Sequence, residues 1–290
     1  MRILRLLSLL LCGSAWPAVA SPLFVSSWAP EILPPSPSTE GSARPHTFRL
    51  PPEYLPARFR GRCLTQRPVA LEDRVIALTF DDGPDPDITP TILDTLARYH
   101  ARSTFFVVGE RGKRWPDLIQ REARCGHAVE SHSFSHPSED VNLWHASREL
   151  QRAGIVITQW TGRAPTLFRS PWGNTEINMA RVACQRGQCV VKWTLCAGDN
   201  PRLTAAEIVE AVTRNPRPGD IVLLHDGRDR QQTVRALPEV LRRLSDAGYR
   251  FITVPQLLRR WDSALTREER RHARRPIRLG HHTPAHDRSG

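Results

Sequence analysis

Between residues 74 and 253 the chain alternates short apolar runs with stretches of helical periodicity. The first run, Val75, Ile76, Ala77, Leu78 and Phe80, is almost continuously apolar, the pattern of a strand covered by helices on both faces of a parallel sheet. Further strands are predicted over 103–108, 127–131, 167–169, 189–194, 220–225 and 250–253. Helices are predicted over 90–99, 116–124, 142–160, 175–186, 204–214, 238–247 and 255–261. Local signals support these limits. Thr89 precedes a proline at a first helical position, Thr204-x-x-Glu207 is a capping box, and Gly248 suits the position just past a helix end. Seven strands alternating with helices predict a parallel α/β architecture with right-handed crossovers.

The flanks read differently. Residues 1–20 have the form of a secretory signal: Arg2 and Arg5, an apolar run from Leu6 to Leu11, and Ala18-Val19-Ala20 before Ser21. Cys12 lies inside it and is a poor lipid-attachment site, because bulky Leu11 precedes it. The run is too short to span a bilayer, and no other segment is long and apolar enough to do so. The expected location is therefore periplasmic or extracellular. Residues 21–70 are proline-rich and aperiodic and read as a linker. The folded domain is expected over 71–262. Residues 263–290 form a basic tail, read as solvated and disordered. It carries Arg270, Arg271, Arg274, Arg275 and Arg278, with His272, His281, His282 and His286. Anchoring to an anionic polymer or scavenging of metal are the minor readings of that tail.

The chain has 290 residues and a net charge of +11, carried almost wholly by arginine, since Lys113 and Lys192 are the only lysines. Such a charge raises a nucleic-acid partner, but the arginines are scattered and no nucleic-acid motif is present. Signal cleavage leaves Cys63, Cys125, Cys184, Cys189 and Cys196. An odd count leaves at least one free thiol, and Cys184 and Cys189, close in sequence, are the first candidates for a pair.

Chemistry collects where strands end. Asp81 and Asp82, before the breaker Gly83-Pro84, place two carboxylates at a strand terminus and call for a cation, an arginine or a shared proton. His132 and His136 follow the third strand. Spaced four apart, they share one face if that loop turns into a helix. With Asp82 they make two nitrogens and one oxygen, a set that leaves a position open as hydrolytic zinc sites do. Arg169 follows the fourth strand and can keep a carboxylate ionised. In Arg169-Ser-Pro-Trp-Gly173, a loop shaped by Pro171 and Gly173 can turn a backbone N–H toward a developing oxyanion. Asp199 follows the fifth strand, and His225 ends the sixth. A carboxylate bonded to an imidazole raises its proton affinity and suits it to general acid work. Taken singly, these are an ordinary Asp-rich turn, solvated histidines and a core-edge histidine. Taken together, they fall on one face if the sheet closes into a barrel.

In this order the motifs resemble the polysaccharide deacetylase family, also called the NodB homology domain or carbohydrate esterase family 4. The resemblance runs from about Leu71 to Trp261. It rests on Thr79-Phe-Asp-Asp-Gly-Pro84, Thr104-Phe-Phe-Val-Val-Gly109, His132-Ser-Phe-Ser-His136, Arg169-Ser-Pro-Trp-Gly173, Leu223-Leu-His225 and Gly248-Tyr-Arg-Phe251. It implies a distorted (β/α)7 barrel and hydrolysis of acetyl groups on N-acetylated sugar polymers such as peptidoglycan, chitin-like oligomers or exopolysaccharide. It implies one divalent ion on Asp82, His132 and His136, zinc first with cobalt or nickel as alternatives. Asp81 is implied as the base toward a metal-bound water, and Arg169 as the group that holds Asp81 ionised. His225 oriented by Asp199 is implied as the acid, the Trp172 backbone N–H as oxyanion donor and Leu223 as a wall of the acetyl pocket.

One region departs from the family pattern Asp-x-x-Asp-Trp. Cys196 stands at the first aspartate and Asn200 at the tryptophan. This puts substrate choice and the support of Arg169 and Asp81 in question, and it motivates one alternative, a non-catalytic carbohydrate-binding protein on the same fold. An O-acetyl esterase is a further option within the enzyme class.

Overall fold

The computed structural model describes residues 54–273. The predicted signal peptide, residues 21–53 of the predicted linker and the tail from 274 onward lie outside the described residues. The strands are β1 (Cys63–Leu64), β2 (Val75–Asp81), β3 (Thr104–Val107), β4 (Ala128–Ser131), β5 (Leu167–Phe168), β6 (Cys189–Val191), β7 (Leu195–Cys196), β8 (Ile221–His225) and β9 (Arg250–Phe251). The helices are α1 (Thr89–Arg98), α2 (Gly109–Arg114), α3 (Pro116–Arg124), α4 (Leu143–Thr161), α5 (Asn178–Gln185), α6 (Ala205–Thr213), α7 (Gln231–Asp246) and α8 (Val254–Ala273). All strand pairs are parallel, in the order β1-β6-β5-β4-β3-β2-β8-β7, with β9 on the lower part of β2. The sheet curls into a half-barrel with helices outside, and no pairing joins its two ends among the described residues. This is the distorted (β/α)7 barrel that the motifs imply.

Side-chain alternation along the strands explains why the site lies inside the curl. On β2, Ile76, Leu78 and Phe80 face outward into the helical layer with Leu93, Leu96 and Leu241. Val75 and Ala77 face inward with Phe106, Leu167, Val191 and Ile221. The same parity carries Thr79 and Asp81 inward at the upper end of β2. It does likewise for Leu223 and His225 on β8, whose His225 is the register partner of Asp81. Every residue of β2 is buried, so each outward leucine or phenylalanine contributes about 1.5–3 kcal/mol of burial.

Several elements differ from the sequence expectations. The fifth predicted strand ends early, at Val191 of β6, and a separate short strand, β7, follows just past its expected limit. The missed helix α2 contains two glycines, which argue for a loop in sequence. Both are required by packing: a Cβ on Gly109 would lie 2.6 Å from the Phe134 ring and one on Gly112 2.4 Å from Ile119. Helix α7 begins seven residues before Pro238 rather than at it. The buried residues Thr233, Ala236 and Leu237 hold the earlier turns despite the proline, because tertiary burial offsets the lost backbone bond.

The domain also extends past both expected limits. Residues 54–70 do not behave as a tether: Leu55 and Phe59 are buried beneath the barrel, and β1 pairs with β6. Helix α8 runs twelve residues beyond Trp261, so the stretch from 263 to 273 is helical, not disordered. The physical reason is a clamp from the N-terminal segment. Arg58 reaches Asp262 at 2.7 Å and Glu269 at 2.9 Å, and Leu265 packs against the buried Trp261 cluster.

All five described cysteines are free thiols. The expected pair of Cys184 and Cys189 is not formed, and the two side chains pack in different clusters. Cys189 faces inward, while Cys184 packs against the outward cluster around Val190 and Met179.

Trp261 plugs the base of the barrel with no exposed surface. Replacing Trp261 with Ala should lower unfolding stability by about 3–5 kcal/mol in urea titration. The same truncation at Trp172, which is 71% exposed, should change it by no more than about 0.5 kcal/mol. Equal losses at the two positions would contradict this account of the core.

Candidate active site

The upper mouth of the barrel holds a cleft of about 230 Å³, lined among others by Asp81, Asp82, His132, His136, Leu223 and His225. These six come in pairs from three strand ends, those of β2, β4 and β8, so the strand order, not chain proximity, brings the pairs together.

Asp81 meets its cation first. Arg169 is 1% exposed and donates from Nη1 to Asp81 Oδ1 at 2.8 Å. The same nitrogen donates to Thr79 Oγ1 at 2.6 Å, Nε donates to the Val191 carbonyl at 3.1 Å, and the guanidinium lies 4.1 Å from the Phe106 ring centroid. Burial lowers the pKa of Arg169, against the raising effect of Asp81. A buried guanidinium nonetheless stays charged in proteins. Thr79 was not singled out in the sequence, yet its hydroxyl joins Arg169 to the Val222 carbonyl, to which it donates at 2.7 Å.

Asp82 lies beside both histidines. Its Oδ1 is 3.5 Å from His132 Nε2 and 3.3 Å from His136 Nε2, and the three candidate ligand atoms lie within 4.8 Å of one another. His132 Nδ1 is 2.8 Å from the Arg169 carbonyl. A carbonyl can only accept, so the proton sits on Nδ1 and the Nε2 lone pair is left for a cation. Burial, then the charge of His132, lowers the pKa of His136 and favours its neutral form. Burial raises the pKa of Asp82, but the hydrogen bond and charge of His132, with His225 and His136, outweigh it and hold the carboxyl low. These donors fit a divalent ion: two imidazole nitrogens and a carboxylate held ionised, already gathered within 4.8 Å of one another.

The histidine pair does not ride on a helix, as the four-residue spacing suggested. The loop has positive φ at Ser133 (66°) and His136 (53°), and two groups outside the motif hold it in place. Glu149 of α4 accepts from the backbone N–H of Phe134 at 2.9 Å and of Ser135 at 2.8 Å. Gly109 N–H donates to the Ser133 carbonyl at 3.0 Å. Positive φ also occurs at Asp82 (73°). After it, Gly83 approaches Asp226 so closely that a Cβ would lie 2.1 Å from its Oδ2. Asp226 is buried, its pKa pushed up to about 7, first by burial and then by Asp82 and Asp81, against the bond from Thr89.

On the opposite wall His225 Nδ1 lies 2.8 Å from Asp199 Oδ1, and His225 N–H donates to Asp199 Oδ2 at 2.8 Å. Thr233 Oγ1 donates to the same Oδ2 at 2.8 Å. Burial lowers the pKa of His225, but the bond and charge of Asp199, with Asp81 and Asp82, outweigh it, so the net shift is upward.

At the rim, Trp172 has φ of 61° and its indole N–H donates to the Pro137 carbonyl at 3.2 Å. Leu223 lines the cleft, with Cys196 its exposed register partner on β7. Asn200 caps its own turn, accepting from Arg202 N–H at 2.9 Å and donating to the Gly198 carbonyl at 3.0 Å. Arg230, also missed in sequence, lines the cleft from the loop before α7.

The sequence model of the family described as polysaccharide deacetylase matches residues 69–191. A peptidoglycan-N-acetylglucosamine deacetylase of Bacillus cereus is 39% identical over 64% of this chain and 89% of its own length. A chitooligosaccharide deacetylase of Sinorhizobium fredii is 34% identical over 62% of this chain and 90% of its own. Among solved structures, the peptidoglycan deacetylase PdaC from Bacillus subtilis superposes with a TM-score of 0.62 at 33% identity, covering 69% of this chain and 98% of that one.

The direction of the His225 shift yields a test. A raised folded-state pKa adds stability below the unfolded value, and that stability is lost as pH rises through the folded one. In the metal-free protein, His225 should titrate above the ordinary histidine range by NMR. Asp199→Asn should bring it down and remove that pH-dependent stability. An unchanged His225 titration in Asp199→Asn would refute the assignment.

Proposed function

The chain belongs to the polysaccharide deacetylase family, and we propose that it is an exported, metal-dependent hydrolase that removes acetyl groups from N-acetylated sugar polymers. The observation that carries this reading is one cleft with three parts: Asp81 held by a buried arginine, a preformed Asp–His–His donor set, and an Asp199-bound His225. Asp81 and His225 are register partners on adjacent strands, which sit about 4.8 Å apart, so base and acid flank one small substrate group. Relatives named for peptidoglycan and for chitooligosaccharides share N-acetylglucosamine chemistry, which supports a polymer of that sugar as substrate. The signal-like first twenty residues support export.

When bound by Asp82, His132 and His136, a divalent ion supplies Lewis acidity to the acetyl carbonyl and to water. The protein's own groups do the rest. Arg169 donates to Asp81 Oδ1, so Oδ2 is left to take a proton from the attacking water. The Trp172 backbone N–H donates to the oxygen that gains charge as the carbonyl becomes tetrahedral. Leu223 bounds the space for the acetyl methyl. His225, protonated and fixed through Nδ1, gives its Nε2 proton to the departing nitrogen, which leaves as an amine with acetate as the other product.

The test is acetate release from N-acetylglucosamine oligomers and from peptidoglycan, with acetylated xylan as the ester control. A chelator should abolish release, and zinc, cobalt or nickel should restore it. Asp81→Asn should lower turnover by about a thousandfold with zinc binding retained. Absence of release with any of these ions from folded protein overturns the proposal.

A further inference from the structure

Arg230 is a strongly basic side chain in the cleft to which neither the sequence motifs nor the mechanism above gives a task. It stands at the end of the loop from His225 to α7, where Asp229 has φ of 62°. This loop wraps the carboxylate side of the donor set: a Cβ on Gly227 would lie 2.7 Å from Asp82 Cβ. From there the Arg230 guanidinium spans both halves of the site. Nη1 donates to the backbone carbonyl of Asp199 at 3.1 Å, and Nη2 lies 3.8 Å from Asp82 Oδ2. Nε is buried and without a hydrogen-bond partner, so the side chain is held in place by its two distal nitrogens.

The two contacts fall on different groups with different tasks. Asp82 turns Oδ1 toward His132 and His136, and Oδ2 is the oxygen on the Arg230 side. Attraction from the guanidinium keeps Oδ2 out of the donor cluster, so the carboxylate offers a single oxygen to a cation and leaves room for substrate. The other contact fixes the main chain of Asp199, whose carboxylate takes both the ring and the backbone N–H of His225. A planar guanidinium serves this purpose better than an ammonium, because its fork reaches two acceptors in fixed geometry.

We propose that Arg230 is a positioning residue that sets the distance between the metal-holding carboxylate and the His225–Asp199 pair. The inference rests on the deacetylase reading for its effect on turnover, but not for its effect on the metal site. A cation this close to Asp82 opposes the binding of a dication, so its role in placing groups runs against metal affinity. A residue that merely supported the fold would weaken both together.

The experiment compares wild type, Arg230→Gln and Arg230→Lys. Zinc alone is titrated by chelator competition, and kcat and KM are measured on N-acetylglucosamine oligomers. Exchange of the His225 backbone N–H is followed by NMR, and folding by thermal melts. Arg230→Gln should bind zinc as tightly as wild type or up to about tenfold tighter. Its kcat should fall by about tenfold to a hundredfold with KM nearly unchanged, and exchange at His225 should quicken. Arg230→Lys keeps the charge near Asp82 but not the second contact, and should lie between the two in kcat. Wild-type turnover in Arg230→Gln, or loss of zinc affinity in step with turnover, overturns the proposal. If Arg230→Gln does not fold, Arg230→Lys decides by the same readouts. If wild type releases no acetate, the function proposed above falls, while unchanged zinc affinity and unchanged His225 exchange in Arg230→Gln would separately dismiss the role of Arg230.

Discussion

The site depends on one buried charge. Arg169 is enclosed, and taking a guanidinium out of water costs several kcal/mol unless its donors are satisfied. Here the interior supplies a carboxylate, a threonine hydroxyl, main-chain carbonyls and an aromatic face. Asp81 is also buried, and the guanidinium 2.8 Å away offsets the cost of enclosing its charge. Each partner makes the other tolerable, and the strands around them are held at the spacing both require. The Arg169 carbonyl then accepts from His132, so the same residue orients a candidate metal ligand through its backbone while it charges the base through its side chain.

Strand parity turns this local pairing into a site. Inward positions are apolar at the base of the barrel, where Val75, Ala77 and Ile221 pack with Trp261. They become polar at the mouth, where Thr79, Asp81 and His225 continue the same rows. A one-residue slip in any strand would send these groups into the outer helical layer. The outward rows pack against α1, α6 and α7 and make such a slip costly.

The region around Cys196 and Asn200, which departs from the family pattern, bears on the rim and not on the center. The partners of Arg169 do not include Cys196: its fork is filled by Asp81, Thr79 and the carbonyls of Val191 and Lys192. Asn200 hydrogen-bonds within its own loop and is not among the residues that line the cleft. Arg230 does line the cleft, where it is bonded to the Asp199 carbonyl, next to Asn200 in sequence.

Much of this was legible along the chain. Continuous apolar runs mark buried parallel strands because both faces of such a strand are covered, and charged residues just past those runs mark the mouth of the barrel. Asp81, Asp82, His132, Arg169, Asp199 and His225 were singled out by that rule, and His136 by its spacing from His132. Local pattern could not show which distant groups would hold them. Thr79 looks like any strand threonine, Glu149 like a helix-surface acid and Arg230 like one of many scattered arginines. The helical turns of α7 before Pro238 and the extension of α8 through Ala273 were hidden for the same reason: their stability comes from burial and from Arg58, far away in sequence. Periodicity and strand-end chemistry are local and survive in one dimension. Hydrogen-bond partners, ion pairs and the shape of the cleft arise only when remote segments are packed together, so only the tertiary structure decided them.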